Sequence, residues 1–146
     1  MSMRIMKTLL TVIIISLLSA CTSVYDVTSS PVLETEIGEK ILSVDAFICK
    51  LDKRSSFAKG LPKYRIIKNY GFDKCPLGEH ITSLEKGTII QINSASHRSH
   101  WGLFHSDHWY LIGSVQLNGK NYDFYNYLGL TTNGLPPEKT QIELLW

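Results

Sequence analysis

The sequence predicts a mainly β domain, a small barrel or sandwich, on three observations. Asn118-Gly119 sits between two runs of alternating apolar residues, the strongest short-range signal for a two-residue hairpin. Residues 64–70 (YRIIKNY) and 88–93 (TIIQIN) are short β-branched runs bounded by Gly, Pro and Asn, as strands are. Residues 22–35 show no helical periodicity, and from Ile41 the chain reads mostly as short strands.

The elements follow in order. Residues 1–20 open with Arg4 and Lys7 and continue as an apolar run from Leu9 to Leu18, broken only by Thr11 and Ser16. Crossing a bilayer takes roughly 20 apolar residues, whereas the core of a secretory signal takes about 7–15. Leu18-Ser19-Ala20-Cys21 closes the run. This ending resembles the lipobox of bacterial lipoproteins. The resemblance implies a signal peptide over 1–20, fatty acylation (palmitate) of Cys21 and a place in the cell envelope. Thr22, where Asp would retain such a protein at the inner membrane, implies the outer membrane.

Removing the signal changes the charge. Arg4 and Lys7 leave with it, so of 15 Lys and Arg 13 remain against 13 Asp and Glu. The basic balance of the whole chain belongs to its targeting segment and gives no support for a nucleic-acid partner. The three cysteines sort in the same way. Acylation of Cys21 accounts for the odd one, and Cys49 with Cys75 is expected as a disulfide in an oxidising compartment.

Residues 21–35 are polar and β-branched and contain Pro31, and read as a lipidated tether before a domain over 36–146. Residues 41–51 alternate as a strand, with a helix over 36–44 as the alternative. Residues 59–63 (KGLPK) and 75–78 (CPLG) are turns. The basic stretch 50–63 reads as a solvated loop, with approach to anionic headgroups as the alternative. A type I′ turn at Asn118-Gly119 fixes the hairpin register: Leu117 faces Lys120, Val115 faces Tyr122, Gly113 faces Phe124 and Ile112 faces Tyr125. Both hairpin faces are apolar, which places the pair centrally. Residues 140–146 (TQIELLW) are expected to return as a last strand. In size and strand spacing the whole is SH3-like, an analogy of fold and not of function.

Two constellations carry candidate chemistry. His97, His100, His105 and His108 fall within twelve residues, with Asp107 among them. Such a tract is a compositional pointer to zinc or copper. A II′ turn at Gly102-Leu103 would set His97 opposite His108 and His100 opposite His105, on opposite faces of the ribbon. A solvated polar loop is the alternative. Trp101, Phe104 and Trp109 lie in the same stretch and form a candidate partner-binding face, since aromatic side chains give large contact area at low entropic cost.

Leu84-Glu85-Lys86-Gly87, followed by His100-Trp101-Gly102-Leu103-Phe104, resembles the motifs of NlpC-type cell-wall peptidases. That resemblance implies Cys75 as nucleophile and His100 as its base. The Asp-Cys-Ser-Gly motif of that family is replaced by Asp73-Lys74-Cys75-Pro76, and Thr88 stands where the family has Asp. The expectation is therefore a non-catalytic, lipid-anchored envelope protein without a cofactor. It would bind a cell-wall glycan, another envelope protein, or an incoming toxin or phage factor, with metal binding and peptidase activity as alternatives.

Overall fold

A computed structural model describes residues 21–51, 58–71, 75–76, 78–101, 104–138 and 142–146. The expected signal peptide, residues 52–57 of the basic stretch, and Gly102-Leu103 lie outside the described residues. Eight strands form one sheet: β1 (Cys21–Asp26), β2 (Gly38–Ile41), β3 (Ala46–Leu51), β4 (Tyr64–Lys68), β5 (Gly78–Leu84), β6 (Ile89–Trp101), β7 (Ser106–Leu117) and β8 (Lys120–Thr131). Their order is β1-β6-β7-β8-β4-β3-β5, with β2 pairing β6 beyond β1 along the same edge. All ladders are antiparallel except β4 with β8.

The mainly β class holds, but the sheet is open rather than a closed barrel. No ladder among the described residues joins β5 to β1 or β2. Irregularities at Ile48/Cys49, Ile92/Ser94 and Trp109/Tyr110 bend the strands. The bend lets both halves of the sheet share one core: Ala46, Ile48, Ile66 and Leu84 from β3–β5 pack with Ile90, Ile92, Leu111 and Phe124 from β6–β8. The curled sheet thus covers itself without a second layer.

The β7–β8 hairpin has the expected register, Leu117 opposite Lys120 through Ile112 opposite Tyr125. Asn118 and Gly119 take φ of 49° and 76°, the left-handed pair that a type I′ turn demands. The predicted disulfide is also present, joining Cys49 to Cys75 beside Phe47.

Three expectations fail. Residues 21–35 are packed rather than a free tether: β1 pairs with β6, and Leu33, just before a 3₁₀ turn at Glu34–Glu36, is buried in the main core. The sequence there is β-branched enough to add a strand to an open edge. Residues 41–51 contain the end of β2 and all of β3, separated by a bend that buries Leu42, and 36–44 forms no α-helix. Finally, 142–146 is not a strand. Leu145 instead plugs the core, its carbonyl accepting from the Ser43 N–H at 2.8 Å.

Candidate functional site

The β6–β7 ladder decides which of the candidate residues meet. His97 lies opposite Trp109 and His100 opposite Ser106, one residue away from the register a two-residue turn would impose. Because side chains alternate, that single step turns every β7 side chain to the other face. His97 and His105 therefore share the core face with Ser99, Trp101, Asp107 and Trp109, while His100 and His108 occupy the other. The expected pairs His97/His108 and His100/His105 do not form. The slip is favoured because it buries Trp109 and Leu111 rather than exposing them.

Asp107 is the hub of the core-face group and is 1% exposed. Its Oδ1 lies 2.8 Å from His97 Nε2 and 3.2 Å from His105 Nε2, and its Oδ2 accepts the Gly134 N–H at 2.9 Å. Burial pushes the carboxyl up, but hydrogen bonds from His97, Ser99 and Gly134 and the nearby His105 outweigh it and hold it below the usual range. The His97 ring stacks on Trp109 at 4.0 Å and on Tyr25 at 5.4 Å. Trp109 donates through Nε1 to Thr131 Oγ1 at 2.9 Å.

This arrangement differs from a Ser-His-Asp relay. Ser99 Oγ and Asp107 Oδ1 both approach the same nitrogen of His105, at 3.0 and 3.2 Å, whereas a relay uses the two ring nitrogens separately. Ser99 is itself buried. The group is a clamp that fastens β6, β7 and the segment after β8 together. Among the described residues no set of three His, Cys, Asp or Glu is arranged to hold a metal ion.

On the other face, His100 Nδ1 lies 3.2 Å from Thr22 Oγ1 and His108 Nδ1 lies 3.3 Å from Tyr127 Oη. Burial, then His100, lowers the His108 pKa against the opposing pull of Asp107. The peptidase pair is not assembled. Cys75 Sγ is bonded to Cys49, and three strands separate the β3 that carries Cys49 from the β6 that carries His100.

The aromatic trio divides. Trp101 is 58% and Phe104 81% exposed, whereas Trp109 is 3% exposed and belongs to the core, so it cannot form part of a binding face.

A groove of about 520 Å³ that no sequence motif signals lies on the same face as His108. Asn93 reaches it because it is the extra residue of the β6 irregularity between Ile92 and Ser94. Asn121 and Asp123 of β8 supply the floor, hydrogen-bonded to each other at 2.8 Å. Lys63 and Tyr64 form the wall, the ammonium 5.5 Å from the ring centre. Buried Arg98 fixes that wall from beneath: Nη1 donates to the Lys59 carbonyl while the guanidinium lies over Tyr110. The lining residues are dispersed over the loop before β4 and four strands, so no motif could announce them.

No protein-family model, no curated protein and no solved structure matches this chain.

Proposed function

We propose that the chain is a lipid-anchored protein of the bacterial envelope whose β domain works by binding a cell-wall glycan in the groove between Tyr64 and Asp123. One observation carries the anchor: Cys21 is exposed and unbonded, while Cys49 and Cys75 are joined. The only thiol left over is the one that the lipobox would acylate, and a disulfide of this kind persists in oxidising compartments such as the periplasm. Outer-membrane residence follows from Thr22 by the same resemblance.

The groove supports the glycan reading by its chemistry. Sugar hydroxyls present paired donors and acceptors, and the amides of Asn93 and Asn121 with the Asp123 carboxylate offer both kinds. Ile112 adds apolar surface to the same lining. Lys63 suits the carboxylates that cell-wall polymers carry. The Arg98 contact to Lys59 preorganises the wall, which reduces the ordering cost of binding.

Co-sedimentation of the acylated protein, in detergent, with purified cell-wall sacculi tests this. Wild type should pellet with the sacculi, and Asn121→Ala/Asp123→Ala should remain in the supernatant with unchanged melting temperature. Equal pelleting of both would place the binding elsewhere. Failure of wild type to pellet, with an envelope protein recovered by crosslinking at Tyr64, would replace the glycan with a protein partner.

A further inference from the structure

We propose that the end of the sheet carrying Cys21, Trp101 and Phe104 is a foot that sits in the headgroup region of the membrane and holds the groove at a set height above it. The proposal rests on acylation of Cys21 and goes beyond it, because an anchor alone leaves orientation free.

The geometry begins with register. Cys21 lies directly opposite Trp101 in the β1–β6 ladder. Side chains opposite one another on neighbouring strands project to the same face with Cβ atoms about 4.5–5.5 Å apart. An acyl chain leaving the Cys21 sulfur therefore starts beside the indole. Cys21 is itself paired within the sheet, so no slack separates the acylated residue from the folded domain.

The surroundings are those of an interfacial surface. Trp101 is 58%, Phe104 81%, Leu130 55% and Leu135 62% exposed. Leu130 lies opposite His108 at the same end of the β7–β8 ladder, and the Leu135 carbonyl accepts from Thr131 Oγ1 there. Charge supports the assignment independently. Residues 21–25, 99–106 and 127–137 contain no Asp, Glu, Lys or Arg, although 19% of the chain is charged. Exposed apolar side chains without charges are costly in water and favourable at a bilayer surface, where Trp in particular accumulates. Asn93 is eight residues before Trp101 on β6, which at 3.3 Å per residue lifts the groove about 26 Å from the foot.

Acylated protein purified from bacterial membranes and reconstituted into phosphatidylethanolamine–phosphatidylglycerol vesicles provides the test, with bromine placed at different depths of the acyl chains. Tryptophan emission should be quenched most by the shallowest bromines, and Trp101→Ala should lose most of that quenching. Phe104→Asp should weaken quenching while leaving the melting temperature unchanged. Absence of quenching in protein whose mass confirms acylation would overturn the foot and leave the anchor standing, whether that end faces water or a second copy of the chain. Protein whose mass shows an unmodified Cys21 would overturn both.

Discussion

His97 and His105 meet on a single oxygen, Oδ1 of Asp107, inside the β6–β7 ladder. The arrangement explains how a nearly inaccessible carboxylate is tolerated. Two imidazoles, a serine and the Gly134 backbone N–H replace the water it has lost.

Removing that carboxylate should be costly. Asp107→Asn keeps the shape and loses the charge, and we expect a loss of about 1.5–3 kcal/mol, the scale of hydrogen bonds to a charged group. The same linkage gives a pH dependence. The folded carboxyl titrates below its unfolded value, so its contribution is present above the ordinary Asp range near 3.9 and disappears as pH falls through the folded value. Urea unfolding at pH 7 and pH 3 should show the variant and wild type converging in acid.

His108 acts with the same sign in a higher window. Its folded pKa is lowered, so between the unfolded value near 6.5 and the folded value the unfolded chain binds more protons. Stability should therefore fall as pH drops below about 6.5, by less than about 1.4 kcal/mol per pH unit because the ring is partly solvated. In His108→Gln this component should vanish, which urea midpoints taken between pH 7.5 and 5 would reveal.

The two neighbouring tryptophans should behave oppositely. Trp109→Ala empties a core site and removes the bond to Thr131, for a loss of about 3–5 kcal/mol. Trp101→Ala gives up only its stacking on His105 and should stay within about 1 kcal/mol. Thermal melts of both variants decide the matter.

Reducing the Cys49–Cys75 bond, or replacing both residues by Ser, should cost about 3–4 kcal/mol, the loop-closure value for a separation of 26 residues. Denaturant titration with and without reductant measures it directly.

Legibility from sequence followed how locally each feature was determined. Asn118-Gly119 needs only two backbone angles, so the β7–β8 register was readable in full. The β6–β7 register was not, because Gly102 permits more than one turn and the choice fell to burial of Trp109 and Asp107 against distant strands. That one-residue difference re-sorted all four clustered histidines. β5 (GEHITSL) was invisible for a similar reason: its alternation is weak, and pairing with β3 makes it a strand. The groove depends on an irregularity at Asn93 and on Arg98 beneath a turn, neither of which leaves a pattern in the chain.

The anchor at Cys21 underlies both the binding reading and the membrane foot. Intact-mass spectrometry of the protein extracted from its native membranes tests it most directly. We expect a chain beginning at Cys21 and carrying fatty-acyl mass on that residue; a chain that retains residues 1–20, or one that begins at Cys21 with a free thiol, would overturn both readings.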